Sequence, residues 1–454
     1  MNFRKPVSYK RSNMNSKDLS GSQNTGTGNT RWIVVVLLFF ATTINYIDRQ
    51  VIGLLKPTLE TEFNWSETDY SRIIMAFSIT YALGLLIFGR IIDKIGTKLG
   101  YTISILFWSL AAMLHSLVRT TTGFIFVRAG LGLGESGNFP AAIKAIAEWF
   151  PKKERALATG FFNSGASIGA IISPIMVPLI LAAYGWKEAF LITGALGFVW
   201  LIFWLIFYET PVKKKKLSKS EFNYINSDQE DMQSVQVVIK WIHLLGLRQT
   251  WTFITGKFLT DPIWWFFLFW LPSYFSSTFA LDLTKPSLQL GAVYFATTIG
   301  SIGGGYLSSW MIRKGWPVFK ARKTTLLIAA LCVLPIIFAR YATNIWAAVG
   351  LISLAAAAHN AWSANIFTVA SDMFPKNALS SVIGIGGMAG SVGGILFPIL
   401  VGYLLDLYKL QGNITTGYNI LFIICGCAYL LAWIIIHFLT PEMSSVKLIK
   451  RGDV

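Results

Sequence analysis

Residues 31–56 read RWIVVVLLFFATTINYIDRQVIGLLK, apolar almost throughout, yet Asp48 and Arg49 stand side by side near the far end. About 20 apolar residues cross a bilayer as helix, and a charge at the centre of such a helix costs at least about 2.5–3.5 kcal/mol. Charges kept there face a polar interior and serve a function. Arg128 and Glu135 repeat the anomaly inside a second apolar run. Two side chains of each sign, in two separate runs, point to a site that binds an anion and handles a proton.

Working outward, apolar runs recur along all 454 residues. Twelve are expected as membrane spans, at 31–56, 68–92, 99–118, 122–147, 156–183, 187–208, 250–280, 287–312, 323–340, 344–372, 380–407 and 417–439. Hydrophobic residues make up 54% of the chain and charged ones 13%, about half the usual soluble share. The fold class is therefore an all-α integral membrane protein. Polar residues 1–30 contain no apolar segment with a cleavage site, so a removable signal peptide is not expected. Cys332, Cys425 and Cys427 all fall in apolar runs and read as packing residues.

The net charge of +17 suggests nucleic acid until its distribution is followed. Lys and Arg gather before the first run and in alternate loops, at Arg90, Lys94 and Lys98, at Lys152, Lys153 and Arg155, at 213–216 and at 313–323. The intervening loops are poor in them. That is the positive-inside pattern, which places both termini in the cytoplasm and removes the need for a nucleic-acid partner.

One long polar interruption, 209–249, divides the runs six and six. The expected organisation is a tail at 1–30, a six-helix bundle at 31–208, a linker at 209–249, a second bundle at 250–440 and a tail at 441–454. Glu148-Trp149-Phe150-Pro151-Lys152 is echoed by Asp372-Met373-Phe374-Pro375-Lys376. At the same offset Gly160 matches Gly384, Gly169 matches Gly393 and Pro174 matches Pro398. Such internal repeats place a substrate site near the midplane, between two rocking halves.

After the second run comes Gly89-Arg90-Ile91-Ile92-Asp93-Lys94-Ile95-Gly96-Thr97-Lys98. It resembles the Gly-x-x-x-Asp-Arg/Lys-x-Gly-x-Lys/Arg signature of the major facilitator superfamily, in the loop where that signature belongs. The resemblance implies twelve helices in two pseudo-symmetric six-helix bundles. Gly89, Asp93 and Lys94 are the expected gating residues, with Asp93 accepting hydrogen bonds from a neighbouring helix N-terminus to latch one side shut. In the second half Ser309 stands where an acidic residue is common, so no gating role is expected there. Asn45-Tyr46-Ile47-Asp48-Arg49, Arg128 with Glu135, and 359–365 resemble the anion:cation symporters of that superfamily. The segment 257–265 and Ser371 to Ile395 are most similar to its hexuronate branch.

On helical geometry Asp48 lies roughly 13 Å, and Arg128 roughly 9 Å, below the same surface, with Glu135 two turns deeper than Arg128. Arg128 and Glu135 fit a relay better than a direct pair. Arg49 and Arg128 are the expected carboxylate binders, because a guanidinium donates two parallel hydrogen bonds. Asp48 and Glu135 are the expected proton carriers. The competing reading is two buried ion pairs that merely hold helices together. Tyr46 and Tyr81 are candidates for substrate hydroxyls, or for a backbone partner. In the tenth run Trp362 is a candidate to stack on a sugar ring, with His359, Asn360 and Asn365 contacting hydroxyls; ordinary packing is the alternative. Lys257 with Asp261, and Lys144 with Glu148, read as simple i,i+4 helix pairs.

The resemblance implies proton-coupled import of a sugar acid such as glucuronate or galacturonate, by a monomer in the bacterial cytoplasmic membrane. No metal and no cofactor beyond the coupling proton is expected. A facilitator, exchanger or exporter of another organic anion is the alternative. An enzyme is not expected: His115, His243, His359 and His437 are scattered, with no metal-ligand spacing and no nucleophile constellation.

Overall fold

The computed structural model describes residues 28–227, 241–281 and 287–446. The polar tail expected at 1–30 thus lies almost wholly outside the described residues, as do linker residues 228–240 and the chain beyond 446. Every regular element among the described residues is helical. In chain order these are α1 (Thr30–Leu54), α2 (Lys56–Phe63), α3 (Glu67–Ile95), α4 (Thr97–Leu114), α5 (Thr121–Glu135), α6 (Asn138–Trp149), α7 (Lys152–Tyr184), α8 (Trp186–Phe207), α9 (Lys219–Ile225), α10 (Trp241–Leu245), α11 (Arg248–Phe258), α12 (Asp261–Phe269), α13 (Leu271–Phe279), α14 (Leu288–Arg313), α15 (Val318–Val333), α16 (Ile345–Met373), α17 (Leu379–Leu410) and α18 (Ile414–Leu439). Two 3₁₀ segments, His115–Leu117 and Leu334–Tyr341, extend α4 and α15.

Nine helices among the described residues are long and apolar enough to cross a membrane. Three expected spans differ, and each for a local reason. The fourth is split into α5 and α6, and the seventh into α11, α12 and α13. Proline has no N–H to give the carbonyl four residues back and its ring crowds that carbonyl. Pro140, Pro262 and Pro272 each lie just beyond a break. The carbonyl orphaned by Pro272 is that of Leu268, and the Tyr294 hydroxyl reaches it at 3.5 Å. The eighth span, α14, is unbroken but diluted by Thr297, Thr298, Ser301, Gly303 to Gly305, Ser308 and Ser309. Four helices starting away from the Gly89–Lys98 motif are capped by Ser66, Thr120, Ser287 and Asn344, each accepting a backbone N–H of the first turn.

Large apolar side chains cover the outer surface, among them Phe203, Leu205 and Ile206 on α8 and Leu396 and Ile399 on α17. Lipid, not water, is the solvent these faces suit. Between helices, small residues allow contact. Gly160 of α7 lies so close to the Ser301 carbonyl of α14 that a Cβ would strike it, and Gly384 of α17 stands likewise against the Leu85 carbonyl of α3. Gly169 abuts Thr43 of α1, and Gly393 abuts Phe258 of α11. Residues matched between the two sequence halves therefore serve matched interfaces.

The halves are locked at the motif end. Asp93 accepts the Ser380 and Ser381 N–H groups at the start of α17, at 3.2 and 2.7 Å. Lys144, not Lys94, supplies its cation at 2.9 Å, while Lys94 is exposed. The expected Lys144–Glu148 pair is corrected by the same contact: Glu148 instead accepts the hydroxyls of Thr97 and Tyr208. Gly89 packs on Ser380.

A second lock exists, built without Ser309. Asp372 is fully buried and takes Arg155 at 3.1 Å and Arg322 at 3.0 Å, while Arg322 also donates to the Lys152 carbonyl. These arginines read from sequence as topological charges; here they join the halves. Asp372→Asn is expected to remove the carboxylate that two buried guanidiniums share, a loss on the order of 3 kcal/mol. Spin labels at Lys94 and Lys314 should then show a separated population at least tenfold larger, and an unchanged distance distribution would exclude this role. Arg31 likewise does more than mark topology: it binds Glu154 and Glu221, tying α9 beneath the first half.

Candidate functional site

A cavity of about 80 Å³ lies between the halves. Tyr46 and Arg49 of α1, Tyr81 of α3 and Asn163 of α7 form one wall; Lys257, Asp261, His359 and Asn360 form the other.

Arg49 is held from behind. Its Nε and Nη2 both lie 2.9 Å from Glu135 Oε2, and Glu135 is buried and does not line the cavity. Glu135 is the last residue of α5, next to the break that Ser136 and Gly137 make. Discontinuous helices near the midplane are where transporters gather ligand and ion sites. Three rings surround the guanidinium, Tyr46, Phe77 and Tyr81, with centroids 4.7–5.0 Å from Cζ. Such contacts favour a cation and fix its plane.

Arg128 is placed differently from the sequence expectation. It is buried against Phe77, 4.6 Å from the ring centroid, and its Nη2 donates to the Arg49 carbonyl at 2.7 Å. It does not line the cavity, so it positions the α1 backbone at Arg49. Asp48 does not face the cavity either. One residue along a helix turns about 100°, so Arg49 and Asp48 cannot share a direction. Asp48 is buried inside the first half, toward Thr193 of α8, with neither oxygen in a hydrogen bond of normal geometry.

In α16 the cavity takes His359, Asn360, Ser363 and Phe367, a stripe with helical spacing. His359 stacks on Trp264, 5.4 Å between centroids, and meets the Tyr429 hydroxyl at 2.5 Å. Asn360 accepts from Asn163 at 3.2 Å, bridging the halves. Trp362 and Asn365 fall on other faces and do not line the cavity. The Trp362 indole reaches the Gly256 carbonyl and packs on Tyr429; Asn365 donates to the carbonyls of Gly304 and Ala361. They are glue between helices.

Lys257 and Asp261 were missed as cavity residues. Their i,i+4 spacing suggested a plain helix pair, and they do pair at 2.8 Å, but across the break before Pro262 and on the cavity wall. The proline was the available signal. Ser391 and Asn163 were also missed, and nothing in their local sequence marks them.

Hydrogen bonds join the halves from the cavity to the motif end: Ser167 with Thr297, Asn163 with Ser301, then the two locks. They close the motif side of the site.

Compared with known proteins, residues 38–398 and 322–453 match the family model described as Major Facilitator Superfamily. The chain belongs to the Major Facilitator Superfamily. It is 32% identical over 420 residues to the hexuronate transporter of Escherichia coli (strain K12), covering 92% of this chain and 95% of that one. It is 35% identical over 280 residues to the galacturonate transporter of Dickeya chrysanthemi, covering 61% and 81% respectively. These relatives place it in the hexuronate branch of the superfamily, whose members here are transporters and not enzymes. Among solved structures it is similar to the proton:xylose symporter XylE, at a TM-score of 0.70, 15% identity and coverage of 92% and 97%. It is also similar to FucP in its outward conformation, at 0.63, 15%, 90% and 99%. Those two likenesses show the superfamily fold.

Proposed function

We propose that this chain imports sugar acids, hexuronates first among them, together with protons, by alternating access between its two halves. The observation that carries the reading is the Arg49–Glu135 pair: a guanidinium framed by two phenols faces the cavity, and its counter-charge is a buried carboxylate behind it. A substrate carboxylate competes with Glu135 for Arg49, and a proton on Glu135 frees the guanidinium for it. Substrate and proton then neutralise the site jointly, which makes crossing the membrane interior cheap. Tyr46, Tyr81, His359 and Asn360 offer hydrogen bonds to hydroxyls. Arg128 braces Arg49, and Asp48 is a second proton carrier set deeper in the first half.

A hexuronate enters between the two walls of the cavity from the side opposite the Gly89–Lys98 motif. Asp93 and Asp372 hold the motif side closed while this happens. The basic motif-side loops and the relatives' bacterial sources support a cytoplasmic-membrane protein with both termini inside. One chain provides both walls, as a monomer requires.

The test is uptake of labelled galacturonate into proteoliposomes. Accumulation above the outside concentration is expected only under an inward proton gradient. Equilibration indifferent to that gradient would leave a facilitator, and no uptake of any hexuronate would remove the substrate assignment.

A further inference from the structure

Lys257 and Asp261 take no part in the exchange between Arg49 and Glu135. Among the residues lining the cavity, Arg49 and Lys257 are the cations and Asp261 is the one carboxylate. The two cations are neutralised in different ways. Arg49 has its counter-ion behind it, so its cavity side carries no fixed negative charge. Lys257 has its counter-ion beside it on the wall, with the Asp261 side chain 21% exposed against 7% for Lys257. The Lys257 ammonium also sits 4.2 Å from the Phe367 centroid, so its position is fixed from two sides. Asp261 lines the same cavity as Tyr46 and Tyr81 on the opposite wall.

A ligand seated between the halves touches both walls at once. With one carboxylate on Arg49, its other end arrives at the Lys257–Asp261 wall. A hydroxyl there donates to Asp261, or a hydroxyl or ring oxygen accepts from Lys257, and every charge stays matched. A second carboxylate meets Asp261 instead, and like charges brought together across an interface are strongly disfavoured. The geometry points to Asp261 as a charge filter that admits singly charged sugar acids and rejects those with a carboxylate at each end. This rests on the sugar-acid reading above and narrows it to monoacids. Packing keeps the filter in register, since a Cβ added at Gly390 of α17 would run into the Asp261 carboxylate.

The experiment is equilibrium binding to the purified full chain, read by the fluorescence of Trp264 and Trp265, which also line the cavity. The probes are galacturonate, with one carboxylate, and galactarate, with two. Wild type is expected to bind galacturonate at least tenfold more tightly. In Asp261→Asn the ratio should shift toward galactarate by tenfold or more, because Lys257 becomes an unneutralised second cation. Asp261→Ser repeats the test should the amide fail to fold. Equal wild-type affinity for the two acids overturns the filter without any variant. So does an unchanged ratio in both variants while galacturonate still binds. Binding of neither acid by wild type would instead bring down the sugar-acid reading, and the filter with it.

Discussion

Glu135→Gln is expected to abolish accumulation of substrate against its gradient while exchange of labelled for unlabelled substrate remains measurable. The amide keeps an oxygen that can accept from Arg49 but carries no charge and binds no proton at neutral pH. Arg49 then stands permanently free for a substrate carboxylate. The loaded carrier can cross in both directions, so counterflow persists. The proton no longer alternates with substrate, so the pH gradient does no work. Uptake should therefore fall to equilibration, whatever gradient is imposed. Retained accumulation in this variant would show that the coupling proton travels elsewhere, with Asp48 the next residue to examine.

The second large effect is expected at Arg49. Arg49→Ala leaves Glu135 uncompensated, a stability loss of about 3–5 kcal/mol. It also removes the cation that a substrate carboxylate would bind, a binding loss of about 2 kcal/mol or more; at about 1.4 kcal/mol per tenfold, galacturonate affinity should drop by roughly 30-fold or more. Arg49→Lys separates charge from shape. The ammonium restores the positive charge but not the flat fork that places Nε and Nη2 equally on Glu135 Oε2. It also loses stacking among Tyr46, Phe77 and Tyr81. Lysine should thus recover thermal stability more than affinity. Equal recovery of both by lysine would mean that Arg49 serves as a structural ion pair, the competing reading raised by the sequence.

How much of this could be read from the chain alone follows from periodicity and its limits. Apolar runs identify helices because lipid demands that every backbone group be bonded within its own segment. Their continuity was less legible. The runs at 122–147 and 250–280 look unbroken by hydropathy, although Pro140, Pro262 and Pro272 mark where hydrogen bonding must lapse. The direction of a side chain is harder still. Asp48 and Arg49 are adjacent and equally costly in lipid, and only the packing of α1 against α7 and α8 decides which faces the cavity. The same ambiguity turned Trp362 and Asn365 inward while Asn360 and Ser363 line the wall. Arg155, Arg322 and Asp372 are distant in sequence. Their convergence belongs to the closed arrangement of the halves, so composition showed their charge and not their use.

The interrupted seventh span carries a mechanical corollary. Its joint, Leu259 and Thr260, falls between the two members of the Lys257–Asp261 pair, and the nearby carbonyls of Gly256 and Thr260 are reached by Trp362, the Thr260 hydroxyl and Tyr429. Any tilt of the outer segment about that joint changes the separation of ammonium and carboxylate, so flexing and polarity are geared to each other. A rigid compound bridging both groups would act as a splint, freezing the hinge by clamping its two arms without plugging the route itself.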